Sequence, residues 1–132
     1  MIGIIVITHA RLGRELVNAA EFILGKIERI ETISLEPQSK TDFLSAQLEA
    51  AQAKVDGGDG VLILTDMFGG TPNNISLAYF DEGKVDVVTG VNLPMVIKAA
   101  TSRQGKALAE LSRAVRQAGH DSISAASELL AS

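Results

Sequence analysis

The residues with the clearest capacity for chemistry are His9 and Asp66, each of which follows a short apolar run. An imidazole can act as a nucleophile, a general base or a metal ligand, but a lone histidine more often fills a turn. A neighbouring carboxylate changes this balance, because it accepts a hydrogen bond from one ring nitrogen and leaves the lone pair of the other nitrogen free. If the fold brings His9 and Asp66 together, they form a nucleophilic pair in which the carboxylate stabilises a cationic ring.

A glycine-rich segment, residues 69–72 with the sequence Gly-Gly-Thr-Pro, follows shortly after. By itself it predicts a tight turn into a helix, with Thr71 as the N-cap and the proline as the first helical residue. Such a loop also offers unpaired backbone N–H groups and the positive end of the helix dipole. If it lies beside His9, we expect Gly69, Gly70 and Thr71 to bind the oxygens of a phosphoryl group without a Lys or Arg.

Short apolar runs and longer amphipathic segments alternate along the chain, as strands and helices do. The predicted strands are Ile2–Thr8, Arg29–Leu35, Val61–Thr65 and Lys84–Thr89, with Ser122–Ala125 as a weak last strand. The first predicted helix runs from Leu12 to Leu24 and ends at Gly25, and the second runs from a Ser39–Asp42 capping box to Val55. Three more helices are predicted: from Thr71 to about Phe80, from Asn92 onward, and over Lys106–Ala118.

This alternation predicts an α/β fold: a doubly wound parallel sheet with helices on both faces. The first and third strands are unbroken apolar runs, as expected of strands buried on both sides, whereas the second and fourth contain polar residues, as edge strands do. The expected strand order is therefore 2-1-3-4. In such a sheet a crevice opens at the carboxyl ends of the two central strands. His9 and Asp66 follow these two strands, so the topology predicts that they meet.

Composition limits the classes of protein to be considered. The 132 residues fit one domain, residues 1–132, with 46% hydrophobic residues, 21% charged residues and a net charge of −4. The absence of a Lys/Arg run argues against nucleic-acid binding. The absence of cysteine excludes disulfides and thiol chemistry. The apolar run Ile2–Ile7 is too short to span a bilayer and does not resemble a signal peptide, so we expect a cytoplasmic protein with neither cofactor nor metal.

Three segments in order resemble one protein family. They are His9 after an Ile/Val-rich strand, the run Thr65–Asn74 with the sequence TDMFGGTPNN, and the run Thr89–Met95 with the sequence TGVNLPM. Together they are similar to the mannose-family IIA component of the phosphoenolpyruvate-dependent sugar phosphotransferase system. The resemblance implies that His9 accepts a phosphoryl group from the histidine-containing phosphocarrier protein and donates it to a IIB component, while Asp66 orients the ring.

The same resemblance implies an assembly. It implies a homodimer in which the short last strand, Ser122–Ala125, is exchanged between subunits, and membrane association only through a permease complex. The chain stops at Ser132 without the linker and IIB domain that some transport members carry. It could therefore serve a separate sugar permease or a reduced relay with a regulatory role.

Residues near the crevice are expected to form the rim that partner proteins contact. Asn73 stands where the family commonly has an aromatic residue, which predicts an altered partner-facing rim. Asn92 is expected to cap its helix, while Leu93 and Met95 could offer an apolar docking rim. His120 has no partner pattern and is expected at the surface.

Other functions were weighed against the same residues. A regulatory binding module, whose phosphorylated and unphosphorylated forms select different partners, would use the same His9 and stays open. The phosphotransfer subunit of dihydroxyacetone kinases has a related first-strand histidine but typically lacks the Gly-Gly-Thr-Pro and Val-Asn-Leu-Pro runs. A receiver domain would need an acidic cluster after the first strand, and a flavodoxin would need a hydroxyl-rich phosphate loop at the same place. A serine hydrolase would need a nucleophile elbow. The chain has none of these three.

Overall fold

A computed structural model describes residues 1–67 and 69–131 of the chain. Strands and helices alternate as far as the fourth helix, as expected, and two further helices follow it. The elements are β1 (Gly3–His9), α1 (Leu12–Leu24), β2 (Ile30–Leu35), α2 (Thr41–Val55), β3 (Val61–Thr65), α3 (Thr71–Leu77), β4 (Val85–Thr89), α4 (Leu93–Ser102), α5 (Leu108–Asp121) and α6 (Ala126–Leu129).

The four strands form one parallel sheet in the order β2-β1-β3-β4, which confirms the predicted fold class and strand order. In the register, His9 lies opposite Leu35 of β2, and Thr65 lies between Ile7 of β1 and Thr89 of β4. The carboxyl ends of β1 and β3 are therefore adjacent at the same edge of the sheet. This is the edge to which the chemistry-bearing residues were assigned.

Successive side chains of the central strands enter two separate hydrophobic cores. Ile4 and Leu62 belong to the core under α1, α4 and α5, whereas Ile5 and Ile63 belong to the core under α2 and α3. All four side chains are fully buried. Because both faces are covered, the central strands have no polar face, which explains their unbroken apolar sequence.

Several local predictions were wrong at helix starts. The Ser39–Asp42 capping box does not form: Lys40 is the N-cap of α2, and Ser39 Oγ instead accepts a hydrogen bond from the Glu36 amide. Short hydroxyl side chains readily bond to nearby backbone groups, so a turn competes with the cap. Thr71 is the first residue of α3 rather than its N-cap, which is Gly70. Gly25 ends α1 with a positive φ of 85°, as predicted.

The expected last strand, Ser122–Ala125, is not a strand in the single chain. These residues form a turn and an extended connection between α5 and α6. Serine and alanine have weak strand preferences, and the segment has no neighbouring strand to pair with among the described residues. Its exchange with a second subunit stays a prediction.

A buried arginine fixes the opposite end of the sheet. The guanidinium of Arg103, at the end of α4, donates hydrogen bonds to the backbone carbonyls of Ile2, Glu28 and Arg29. These carbonyls lie just before β1 and β2, so one side chain ties both strands to α4. This role could not be predicted from residue types, because the three acceptors are backbone atoms.

Candidate functional site

His9 is the last residue of β1 and lies at the open edge of the sheet. Its side chain is 45% exposed. The chain turns sharply directly after it, because Ala10 adopts the left-handed region with φ of 48° and donates its amide to the Leu35 carbonyl at 2.8 Å. The buried Thr8 hydroxyl accepts a hydrogen bond from the Gly13 amide at 2.7 Å and anchors the start of α1. The imidazole is thus presented to solvent from a fixed backbone.

Asp66 lies beside His9, as the strand order predicted. Its Oδ2 accepts a hydrogen bond from the His9 backbone amide at 2.9 Å and lies 2.8 Å from Nδ1 of the ring. The carboxylate is only 11% exposed, in contrast to the ring it holds. With Nδ1 donating its proton to Asp66, the other ring nitrogen, Nε2, keeps its lone pair.

The same contacts govern the ionisation of Asp66. Burial alone would raise the pKa of this carboxyl group. The hydrogen bonds from the His9 amide and ring, together with the charge of the ring, outweigh that effect and hold the pKa of Asp66 below its ordinary value of 3.8. Asp66 is therefore ionised at neutral pH and available to stabilise positive charge on the imidazole.

The glycine segment lies close to the Cε1 and Nε2 atoms of the ring. A Cβ atom built on Gly70 would lie 2.9 Å from His9 Cε1 and 3.6 Å from Nε2, so only glycine leaves room for the ring. Gly69 has a φ of 84°, in the region that favours glycine. The first backbone bond of α3 runs from Asn74 to Gly70, so the Thr71 amide precedes the hydrogen-bonded ladder. The predicted loop thus adjoins His9, and its binding of phosphoryl oxygens stays a prediction.

A cavity of about 360 Å³ opens at the ring. Besides His9, Ala10 and Thr71, it is lined by Leu35 at the end of β2 and by Glu36, Pro37 and Ser39 of the loop that follows. The sequence analysis did not predict that these residues line the cavity. The signal was available, because β2 neighbours β1 in the predicted order and the loop after β2 must therefore border the histidine.

The predictions about a partner-facing rim were partly wrong. Asn73 is only 1% exposed, because it lies on the inner side of α3, where it accepts a hydrogen bond from the Thr65 hydroxyl. Met95 is also buried and packs in the core, close to Gly119. Asn92 caps α4 as predicted, accepting a hydrogen bond from the Met95 amide at 3.1 Å. His120 is exposed, as expected.

Within residues 1–67 and 69–131, no group of three or more His, Asp or Glu side chains is arranged to hold a metal ion. No helix in these two ranges has both the length and the apolar character needed to cross a membrane.

Comparison with known proteins identifies similar sequences. The chain matches a family model described as PTS system fructose IIA component over residues 3–116. It is 34% identical over 103 residues to the PTS system mannose-specific EIIAB component of Escherichia coli, a match that covers 77% of this chain and 32% of that protein. This chain thus spans about a third of that relative. It is 31% identical over 113 residues to the PTS system sorbose-specific EIIA component of Lacticaseibacillus casei, covering 82% of this chain and 78% of that one.

A solved structure shares the same fold. The crystal structure of phosphotransferase system component EIIA from Streptococcus agalactiae superposes with a TM-score of 0.86 at 29% sequence identity. The superposition covers 97% of this chain and 99% of that chain. The likeness therefore includes the sheet, the surrounding helices and the edge that bears His9.

Proposed function

Because this chain belongs to the family of PTS system fructose IIA components, phosphotransferases that relay phosphoryl groups in sugar uptake, we propose that His9 is the residue that carries the phosphoryl group. The observation that supports this most strongly is the pairing of His9 Nδ1 with Asp66 Oδ2 at 2.8 Å. It leaves one nitrogen of an exposed ring with a free lone pair, and that nitrogen is the nucleophile.

The proposed reaction is an in-line transfer between two histidines. Nε2 of His9 attacks the phosphorus of a phosphohistidine on the phosphocarrier protein, and a new N–P bond forms as the old one breaks. The donor ring keeps the electron pair of the broken bond. Nδ1 of His9 keeps its proton, and Asp66 stabilises the positive charge that develops on the ring. The protein contributes positioning and electrostatic stabilisation, as expected for a loose phosphoryl-transfer transition state.

The phosphoryl oxygens are received by the loop beside the ring. In this proposal the backbone of Gly69 and Gly70 and the amide and hydroxyl of Thr71 bind them. The closeness of Gly70 to Cε1 and Nε2 of the ring supports this assignment, because a phosphoryl group on Nε2 would lie near the start of α3. Backbone N–H groups suit an intermediate site, since they hold the anion without forming a strong ion pair that would impede onward transfer.

Two partners follow from this role. The phosphocarrier protein supplies the phosphoryl group, and a IIB component accepts it. Both must reach the same nitrogen in turn, which is consistent with a ring that is nearly half exposed at an open cavity. We further propose that the chain acts as a homodimer and meets the membrane only through its permease.

Phosphorylation by purified components tests the proposal. The chain is incubated with phosphoenolpyruvate, enzyme I and the phosphocarrier protein, and intact mass is recorded before and after acid treatment. We expect an acid-labile gain of one phosphoryl group in the natural chain and none in His9→Ala. His120→Ala, which changes the other, exposed histidine, is the matched control and should be phosphorylated normally. A gain that persists in His9→Ala would overturn the assignment.

Asp66→Asn tests the orienting role in the same assay. Charge-assisted hydrogen bonds contribute about 1.5–3 kcal/mol. Asn lacks the negative charge that strengthens these bonds, so the substitution should slow phosphorylation about 10- to 100-fold while the fold is retained. An unchanged initial rate would remove Asp66 from the mechanism.

A further inference from the structure

A buried hydrogen bond closes the loop between β3 and α3. Thr65 is the last residue of β3 and Asn73 is the third residue of α3, and the Thr65 hydroxyl donates to Asn73 Oδ1 at 3.1 Å. Both side chains are buried, with at most 1% exposed. Among the described residues, this bond directly joins the side chains at the two ends of the loop.

The loop that this bond closes carries both groups that contact the His9 ring. Asp66, directly after Thr65, binds Nδ1 of the ring. Gly70, three residues before Asn73, lies close to Cε1 and Nε2 of the same ring. The ring is therefore contacted by both ends of one short segment. A bond that fixes the separation of these ends also fixes the slot that the ring occupies.

Other buried polar atoms concentrate at the same strand end. Asn73 Nδ2, Asp66 Oδ1 and Thr89 Oγ1 are buried and have no hydrogen-bond partner among the described residues. Thr89 is the neighbour of Thr65 in the register of β3 and β4. Unpaired buried polar atoms cost stability, and an apolar residue at position 73 would avoid part of that cost. Buried polarity retained next to a reactive side chain is more readily explained by a role at the site than by stability.

We propose that Thr65 and Asn73 form a positioning pair that holds Asp66 and Gly70 at the separation that the His9 ring requires. This inference rests on the proposed function of His9. Neither residue touches the ring. Their effect passes through the loop: when the pair is broken, Asp66 and Gly70 move relative to one another, and the preference of the proton for Nδ1 weakens.

The test uses variants that separate positioning from stability. Thr65→Val removes the hydroxyl and keeps the shape, whereas Thr65→Ser keeps the hydroxyl. Asn73→Ala removes the acceptor. The double variant Thr65→Val/Asn73→Leu replaces both partners by apolar groups and should recover much of the lost stability. Val115→Ala, in the core beneath α5, serves as a control for loss of stability away from the site.

Three quantities are measured on each variant: melting temperature, the nitrogen-15 signals of the His9 ring, and the rate of phosphorylation. We expect Thr65→Val and Asn73→Ala to shift the ring signals away from the Nδ1–H tautomer and to slow phosphorylation about tenfold. Thr65→Ser and Val115→Ala should keep the ring signals of the natural chain. The double variant should regain melting temperature without regaining the ring signals or the rate.

The pair would be merely structural if Thr65→Val and Asn73→Ala lowered only the melting temperature and left the ring signals unchanged. Full recovery of ring signals and rate in the double variant would also overturn the inference. The ring signals are recorded on unphosphorylated protein, so they test the pair without any phosphoryl donor. Failure of the natural chain to accept a phosphoryl group would overturn the proposed function instead.

Discussion

Both hydrogen bonds between His9 and Asp66 end on one carboxylate oxygen, Oδ2. One of them comes from the backbone amide, so the carboxylate is held by the end of β1 even before it binds the ring. The backbone amide of His9 thus orients the Asp66 carboxylate, and the carboxylate in turn orients the His9 ring. It gives the site a fixed tautomer at a position that is open to solvent.

Because the pKa of Asp66 is lowered in the folded chain, the free energy of unfolding should depend on pH. The pKa of this group is lower in the folded than in the unfolded chain, so folding favours the ionised form. The contribution to the free energy of unfolding is fully present above the unfolded value of 3.8 and is lost as pH falls through the lower folded value. We therefore expect the natural chain to be more stable than Asp66→Asn at pH 6 and to lose that advantage at lower pH.

Urea unfolding of the natural chain and Asp66→Asn at several pH values between 2 and 6 checks this. A difference in unfolding free energy that did not shrink on acidification would contradict the assigned hydrogen bonds. Glu128→Gln, which changes an exposed carboxyl group in the last helix, is a suitable control.

At the residue scale, the sequence predicted the pairing of His9 with Asp66 and the proximity of the glycine loop. Both follow from the strand order, which the hydrophobic pattern determines. The burial of Asn73 and Met95 could not be predicted in the same way, because it depends on how α3 and α4 are rotated about their axes. One turn of helix contains both inward and outward positions, and a single Asn carries no marker of which it occupies.

At the scale of elements, the start of α3 is the part of the site most sensitive to shape. Gly70→Ala would add a Cβ atom 2.9 Å from His9 Cε1 and so displace the ring. Misplacing a reacting group by about 1 Å can cost about 100-fold in rate. We expect Gly70→Ala to lower the phosphorylation rate by up to about that factor, with little change in melting temperature.

Gly57→Ala is the matched control. Gly57 lies in the turn before β3, and its Cβ atom would also lie 2.9 Å from a neighbouring atom, but that atom is at the far end of the exposed Arg29 side chain. The control should keep the natural rate. Equal rates in Gly70→Ala and Gly57→Ala would show that the close approach of the ring to Gly70 does not matter.

The sequence predicted the order and approximate bounds of these elements, because apolar periodicity reports which face is buried. It was less accurate at their ends. The start of α2 was assigned to a Ser39–Asp42 capping box, but Ser39 bonds within its own turn. Such choices differ by the energy of a single hydrogen bond, which local sequence alone does not resolve.

At the scale of the whole molecule, several apolar side chains near the end of the chain are exposed: Ile123, Leu129 and Leu130. β4 is an edge strand, with no strand on its outer side among the described residues. Both features are consistent with the proposed homodimer in which this segment is exchanged.

Sedimentation equilibrium measures the assembly directly. We expect twice the mass of one chain for the natural protein and the mass of one chain for Ile123→Asp/Leu130→Asp. The variant Ser124→Asp/Ser127→Asp adds the same charge to the same segment and should stay dimeric. A natural chain that sediments as a monomer, or a monomeric serine control, would contradict a dimer held by these apolar side chains.

Identification of the phosphorylated nitrogen tests directly whether His9 carries the phosphoryl group on Nε2. The chain is labelled with nitrogen-15 at histidine, phosphorylated by the phosphocarrier protein and examined by phosphorus and nitrogen NMR. Because Asp66 holds Nδ1, we expect a single phosphohistidine at His9 in which phosphorus is coupled to Nε2. Phosphorus on Nδ1 of His9, or on any other residue, would contradict it.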